Sequence, residues 1–523
     1  MHLVIVHGYI LQGTGSNIYV ANVAKAWKKL NHSVTVICQD LQACNLKFVD
    51  EYFGPNDSIP KSQPKAGQIR VIVPNINNLL PVYVLDDYIK LQVKTVYSMS
   101  RDEIENHIKM TSSVLRTISE TQQIDKILAN HAILSPVIVK RALGDSNIPY
   151  DVKIHGSAIE FVLVHHKHLL KYAYEGMSNA SKIIAGTEYI TRRIKDIFSD
   201  KLDELKIIEK TVIIPPGMDP DLFELAENFQ ETKNNFYNAL SSEINLTGDG
   251  RSQTENLRYK LNETGIDLHN SLVKLGKTYN QRSPDKDCLN KLTDLKEEEP
   301  IIIYFGKFLE TKGVGELILN IPHILEKIPN SRFIFAGFGF YREHMESLLW
   351  ALENDDIEYT KKLANAGKFI SHKIDIDKIF KPISSMQKEK ITITGFLNHS
   401  VLSKLLPLAS VCIVPSKLSE AFGMVAVEAM ASGVLPICNN HSGLHDVMKT
   451  VSENYKDIRN LLLTDKNNFF EKLPSSVTNA IEYLYPNGLY DYNFKKRVSQ
   501  KLREISIKYY SWNKIATKLI MDK

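Results

Sequence analysis

Apolar and polar positions along the chain alternate in blocks rather than residue by residue. Runs of four or five residues rich in aliphatic and β-branched types occur at 3–6, 34–38, 69–73, 126–129, 150–154, 182–185 and 211–214, with helically spaced stretches between several of them. Short continuous apolar runs bounded by turn residues read as strands covered on both faces, as in a parallel sheet under helices. The first run leads into a polar glycine loop at 12–17, then a helix over 18–30 with Val20, Val23, Ala24 and Trp27 as its apolar positions. Strand, glycine loop, helix and strand in that order open a doubly wound α/β domain. The pattern restarts with a strand at 301–305, a Gly306-Lys307 loop and a helix from about Val314, then strands at 332–336, 391–394, 411–414 and 435–438. The expected fold is α/β, with two doubly wound Rossmann-like domains facing across a cleft, where ligands bind at the carboxyl ends of the strands.

Residues 225–299 break the pattern. They are rich in Asn, Lys, Glu, Ser and Thr, show weak helical spacing only around 257–275, and end in the turn signal Lys296-Glu297-Glu298-Glu299-Pro300. This segment is expected to be a polar, partly helical insertion. The stretch 351–388 is longer than a crossover needs, so a second insertion is expected there. The resulting organisation is an N-terminal domain at 1–224, the insertion at 225–299, a C-terminal domain at 300–504, and a last amphipathic helix at about 505–523, opened by Tyr510-Ser511-Trp512.

Length and composition narrow the class. The 523 residues are too many for one hydrophobic core, and 43% hydrophobic with 24% charged residues excludes a mainly disordered, collagen-like or fibrous chain. The net charge of +4 arises within residues 1–216, which hold 25 Lys and Arg against 21 Asp and Glu. That bias allows an anionic ligand or a peripheral membrane contact but is too weak for a dedicated nucleic-acid binder. Five scattered cysteines (Cys38, Cys44, Cys288, Cys412, Cys438) form no CxxC pair, and no apolar run reaches the ~18–20 residues of a membrane span. The start at 1–8 lacks the basic region and cleavage site of a secretory leader. A cytoplasmic location is expected.

The densest chemistry lies at 416–428. Glu420 and Glu428 stand eight residues apart, with Phe422-Gly423 just inside the first, after the 411–414 strand and at the start of a helix from Met424. Free N–H groups and the dipole at a helix start attract an anion, and Gly423 lets backbone approach it closely. Carboxylates accept hydrogen bonds, which suits vicinal hydroxyls, so a phosphate with a sugar on one side and a ribose on the other fits this order. Spacing alone leaves equal room for Glu428 as a salt-bridged helix residue and Glu420 as a cap. A second constellation, Gly306-Lys307-Phe308-Leu309-Glu310-Thr311-Lys312-Gly313, follows a strand and can turn two lysines toward a diphosphate, although two solvated surface lysines are the plainer reading. It lacks the ending of an ATP-binding P-loop.

Together with Gly13 and Gly15, His155-Gly156 and Pro215-Pro216-Gly217-Met218-Asp219, these motifs resemble the family-4 retaining glycosyltransferases of the GT-B fold, over most of the chain outside 225–299 and parts of 351–388. The resemblance implies a nucleotide-diphosphate sugar as donor, with UDP mildly preferred over GDP or ADP, no cofactor, and a small molecule, glycan or lipid-linked sugar as acceptor. Glu428 would bind the ribose hydroxyls and Glu420 the hydroxyls of the transferred sugar. Phe422 and Gly423 would offer N–H groups to that sugar, and Met424 and Val425 to the diphosphate. Lys307 and Lys312, the first standing where the family usually has Arg, would neutralise the developing phosphate charge, with Gly306 allowing close approach. Gly13 and Gly15 would lie near the diphosphate or an acceptor anion, and His155 would contact the reacting sugar. The implied chemistry is retention by front-face attack, with no protein nucleophile and no metal; Asp86-Asp87 reads as a helix start rather than a metal loop. In the family it resembles, the last helix crosses back to the first domain.

Weaker signals remain. His165-His166-Lys167-His168 with Lys171 reads as a basic patch or a solvated helix face, and Asn130-His131 as cleft lining or core. Gly13-x-Gly15 with Asp40 after the second strand imitates part of a nicotinamide-dinucleotide fingerprint, but Ile18 replaces its third glycine. An NAD-dependent oxidoreductase, an epimerase or phosphorylase of the same fold, and a non-catalytic sugar-nucleotide scaffold are the rival readings.

Overall fold

The structure is a computed structural model that describes residues 1–523 except 14, 85–90, 145, 248–249, 252–259, 466 and 522–523. Asp86 and Asp87 therefore lie outside the described residues. The chain divides into two compact units, Met1–Gly217 with Tyr510–Lys523, and Met218–Tyr509.

The first unit is built on β1 (His2–Val6), β2 (Ser33–Ile37), β3 (Glu51–Phe53) and β4 (Ile69–Ile72), a separate parallel pair β5 (Leu79–Val82) and β6 (Gln92–Thr95), and then β7 (Lys126–Asn130), β8 (Tyr150–Lys153), β9 (Lys182–Ala185) and β10 (Thr211–Ile213). The main sheet is parallel, in the order β10-β9-β8-β7-β1-β2-β4-β3. The strand order reverses between β1 and β7, so a crevice opens past His7 and Asn130, where the chains leave in opposite directions. The Gly15–Lys29 helix packs Tyr19, Val20, Val23 and Trp27 on Leu3, Ile5, Val34 and Val36. The Trp512–Ile520 helix completes this core with Trp512, Ile515 and Leu519, and Trp27 Nε1 donates to the Ala516 carbonyl at 3.1 Å.

The second unit carries β11 (Ile301–Lys307), β12 (Arg332–Phe338), β13 (Ile391–Gly395), β14 (Val411–Val414), β15 (Leu435–Asn439) and β16 (Leu463–Thr464). All are parallel, in the order β13-β12-β11-β14-β15-β16. This is the dinucleotide-fold order 3-2-1-4-5-6, whose switch point falls between β11 and β14. Gly306 and Lys307, expected in a loop, belong to β11 instead. The absence of a side chain at Gly337 lets the ladder continue through Gly306↔Gly337 and Lys307↔Phe338.

Residues 225–299 fall within the second unit and are tied to it by buried charge. Arg251 donates to Glu343 at 3.0 and 2.9 Å, Arg342 pairs with Asp285 at 2.6 Å, and Arg332 pairs with Glu299 at 2.9 Å. The helix expected over 257–275 runs instead over Gly265–Gly276. Among its described residues 260–264 are not helical, and Gly265 has φ +55°, which starts the helix late. The strands at 51–53, 79–82, 92–95 and 463–464 were not expected: β3 and β16 are edge strands of three and two residues, and β5 and β6 form a separate pair interrupted by Pro81 and Lys94.

Candidate functional site

At the switch point of the second unit, two loops converge from β11 and β14. After β11 the chain makes a tight turn at Glu310–Lys312 and leaves it through Gly313 at φ +70°. A Cβ at Gly313 would overlap the Pro415 carbonyl, so the lysine loop lies directly on the start of the β14 loop. Lys417 N donates to the Thr311 carbonyl at 2.8 Å, and Lys417 Nζ reaches Glu310 and the fully buried Glu316 at 2.7 Å each. This seam brings Lys312 Nζ into an ion pair with Glu420.

Glu420 is held from several sides. Ser416 Oγ donates to its carboxylate at 2.5 Å, its own N–H donates to Ser442 Oγ at 2.9 Å, and its carbonyl accepts from Gly443 N at 2.8 Å. The Ser442–Asn454 helix thus fixes the loop, and a Cβ at Gly443 would come within 2.6 Å of Phe422 N. His441 Nε2 lies 2.7 Å from the Ser416 carbonyl. Partial burial raises the Glu420 carboxyl, but the charge and hydrogen bond of Lys312, with Ser416, outweigh it and hold the group below its ordinary value. Glu420 is therefore ionised at neutral pH.

Glu428 is its opposite. It lies inside the Met424–Ala431 helix, is 7% exposed, and burial pushes its carboxyl up to about 8. The exposed imidazole of His399 lies 3.9 Å from it. A largely protonated carboxyl both donates and accepts a hydrogen bond. Between the two glutamates Gly423 stands at the helix start with φ +122°, where a Cβ would meet Leu444 at 2.7 Å. The first-turn N–H groups at Met424 and Val425 have no carbonyl ahead of them in the helix. Lys307 ends β11, partly exposed, with its carbonyl accepting from Tyr304 OH at 2.8 Å. The second unit thus brings together Lys312 and Glu420, and places Phe422 to Val425 and Glu428 on one loop and helix. Sequence reading gave no role to the supports Ser416, His441, Ser442 and Glu316. The last three carried no local signal, since their partners lie 22 to 101 residues away.

Gly13, Gly15 and His155 are residues of the first unit. Gly13 has φ +91° and Gly15 opens the Gly15–Lys29 helix. The loop is pinned by Asn17, whose Nδ2 donates to the Gln12 carbonyl at 2.7 Å and whose Oδ1 lies 3.0 Å from His7 Nε2. Asp40 accepts backbone N–H groups from Leu11 and Gln42 at 3.0 Å each. It serves as a loop fastener, which counts against its holding a dinucleotide ribose. His155 Nε2 lies 3.0 Å from Asn130 Oδ1, and the ring packs against Tyr19 and His131. Burial lowers His155 well below its ordinary value, so it is neutral. His165, Lys167, His168 and Lys171 are exposed, and His166 stacks on Tyr97 with ring centroids 4.4 Å apart. Among the described residues no cluster of three or more His, Cys, Asp or Glu could hold a metal ion, and no helix is long and apolar enough to cross a membrane.

Beside His155, Lys153 is buried with no carboxylate partner among the described residues. Its Nζ donates to the Ile214 carbonyl at 2.8 Å and lies 5.3 Å from the Tyr19 ring centroid. Burial lowers its amine from 10.5 to about 7. The folded chain therefore binds fewer protons than the unfolded chain between those values, and stability rises with pH from about 7 to about 10.5. The ceiling on that gain is about 5 kcal/mol, at about 1.4 kcal/mol per pH unit. Lys153→Met is expected to remove this rise and to be the more stable protein near pH 7. Parallel slopes for both proteins in urea melts from pH 7 to 10 would disprove it.

Three comparisons bear on the class. Residues 378–463, from just before β13 through β15 to Leu463, match the family described as glycosyl transferases group 1. Among curated proteins, the chain is 24% identical over 226 residues to an uncharacterized glycosyltransferase of Methanocaldococcus jannaschii, covering 43% of this chain and 45% of that one. It is 22% identical over 242 residues to the sulfoquinovosyl transferase SQD2 of Arabidopsis thaliana, covering 46% and 36%. The chain thus spans less than half the length of these relatives. Among solved structures, Anabaena Alr3699/HepE in complex with UDP and glucose superposes with a TM-score of 0.52 at 14% identity, over 99% of this chain and 98% of that one. The fold is that of the GT-B glycosyltransferases, two Rossmann-like units, and the 378–463 segment is similar to a group 1 glycosyl transferase domain.

Proposed function

We propose that the protein is a retaining glycosyltransferase, moving a sugar from a nucleotide-diphosphate sugar to an acceptor hydroxyl. The observation that carries this reading is the pair of unlike glutamates, one ionised and one largely protonated, flanking a single helix start at the switch point within the matched segment. Glu428, donating and accepting, binds the two ribose hydroxyls. The N–H groups of Met424 and Val425 receive the diphosphate. Lys312, drawn from Glu420 by the arriving phosphates, neutralises them together with Lys307, and the freed Glu420 accepts from the transferred sugar with Phe422 and Gly423 beside it. As the bond from the anomeric carbon to phosphate oxygen breaks, negative charge grows on the diphosphate, where these donors face it. The acceptor oxygen bonds to the same face of that carbon, and its proton passes to the leaving phosphate oxygen. UDP is the favoured nucleotide, supported by the complex of the similar Anabaena protein. The acceptor is a small molecule, a glycan or a lipid-linked sugar, and the reaction needs no metal.

The test is transfer from UDP-, GDP- and ADP-glucose, with and without EDTA, and with the anomeric configuration of the product read by NMR. Thermal melts with UDP, GDP, ADP and NAD accompany it. One nucleoside diphosphate at about 100 times its Kd is expected to stabilise the wild type by about 2.7 kcal/mol and to leave Glu428→Ala unmoved. An inverted product ends the retaining mechanism, and stabilisation by NAD alone ends the proposal.

A further inference from the structure

The basic segment after β8 has no part in the proposed chemistry. From Phe161 to Lys171 the chain reads Phe-Val-Leu-Val-His-His-Lys-His-Leu-Leu-Lys, with no aspartate or glutamate. It begins in a π-helical turn, Ile159–Leu163, closed by Val164 N donating to the Ile159 carbonyl at 3.1 Å. Such wide turns are rare and recur at functional sites. Here the turn buries Ile159, Val162 and Leu163 and leaves Phe161 48% and Val164 37% exposed.

Two large apolar side chains thus face outward directly before a run of cationic and imidazole groups. His165, Lys167, His168 and Lys171 are all exposed. His166 stacks on Tyr97, itself 41% exposed, which brings an aromatic ring from a distant part of the chain to the same surface. The carboxylates that flank the segment are already engaged. Glu160 accepts from Arg193 Nε at 2.7 Å and from Tyr189 OH at 2.8 Å, and Glu175 accepts from Arg141 Nε at 2.6 Å and Nη2 at 2.8 Å. Among the described residues, neither Lys167 nor Lys171 forms an ion pair with a carboxylate; the Lys171 ammonium lies 4.9 Å from the ring centroid of its neighbour Tyr172.

We infer that this surface docks the first unit on an anionic lipid bilayer. Phe161 and Val164 enter the boundary between headgroups and acyl chains, and Lys167 and Lys171 lie at the level of the phosphates. A merely solvated basic face, or one that met a soluble polyanion, would have no use for the outward apolar pair. At a bilayer that pair leaves the water, while the lysine stems lie along the acyl boundary and their charges stay at the surface. Tyrosine suits the same boundary, with an apolar ring and a polar tip. Neither part suffices alone: a small apolar insertion binds weakly, and acidic lipids add about a fivefold gain in affinity for each lysine near the surface. The inference does not rest on the glycosyltransferase reading.

The experiment is cosedimentation of the full chain with vesicles of equal parts phosphatidylcholine and phosphatidylglycerol, beside vesicles of phosphatidylcholine alone. Binding is expected to the acidic vesicles only, and it should fall as salt is raised, because added ions screen surface charge. Lys167→Gln combined with Lys171→Gln is expected to weaken it about 30-fold, and Phe161→Ser about tenfold. Leu489→Ser, which removes a 70% exposed apolar side chain from the second unit, is expected to leave it unchanged. Thermal melts establish that each variant is folded. No binding to the acidic vesicles, equal binding to both kinds of vesicle, or full binding by Phe161→Ser and the double variant would each overturn the inference. Retention on heparin without binding to acidic vesicles would assign the patch to a soluble polyanion and overturn it as well. Sugar transfer to a soluble acceptor, measured without vesicles, tests the proposed function separately.

Discussion

Lys312→Ala is expected to lower kcat with a nucleotide-sugar donor by about 10²–10³-fold, the usual cost of removing one well-aimed donor from a developing oxyanion. The residue is unusually well separated from the stability of the fold. Its ion pair with Glu420 joins side chains that are about a third and a quarter exposed, and such pairs contribute at most about 1 kcal/mol. Glu420 keeps Ser416 as a partner when the lysine is gone, so the loop has no reason to collapse. Lys312→Arg restores the charge and is expected to recover a large part of the rate. The discriminating measurement is kcat beside Tm. A large loss of rate with Tm within about two degrees of wild type supports a role at the diphosphate. A rate loss under fivefold, or one that follows a fall in Tm, removes Lys312 from the chemistry.

Gly337→Ala should be the most damaging small substitution in the second unit. Gly337 faces Gly306 across the β11–β12 ladder, and an added Cβ would overlap the Gly306 carbonyl oxygen and lie 3.1 Å from Phe308 Cε1. The obstacle is backbone in a central strand pair, which cannot rotate away as a side chain would. A methyl group forced in there should cost about 3 kcal/mol or more, read as a lower urea midpoint of the transition that includes this unit. The damage should also reach the site, because Lys307 and the turn that carries Lys312 leave directly from that ladder. Gly15→Ala is the control. Gly15 opens a helix and a Cβ there meets nothing within 4 Å, so its effect should stay within about 0.5 kcal/mol. Equal midpoints for the two variants would show that the strand pair yields more easily than its geometry implies.

The two sheets, and the loop and helix that carry the glutamates, were legible in the chain. Buried parallel strands must be apolar throughout, and a helix must declare its start, so the runs at 3–6, 301–305 and 411–414 and the Gly423-Met424 boundary could be read from neighbouring residues alone. The edge strands β3 and β16 and the separate β5–β6 pair were too short or too mixed to stand out. The helix at Gly265–Gly276 was misplaced because apolar spacing persists upstream of Gly265, where the helix starts. The residue types at 420 and 428 were enough to suggest two hydroxyl-binding carboxylates, but not that they differ in charge. That difference comes from Lys312, 108 residues from Glu420, and from the burial of Glu428 in its helix.

The sequence by itself therefore determined the α/β class, the restart of the pattern at residue 301 and the positions of the donor-side motifs, since each depends on contacts within a few residues. Tertiary structure alone decided the strand orders and their switch points, the protonation of the two glutamates, and the ionic attachment of residues 225–299 to the second unit. Each of these depends on which distant residues exclude water from a group or reach it with a charge. Desolvation and Coulombic energy are set by distances in space, which local pattern does not encode.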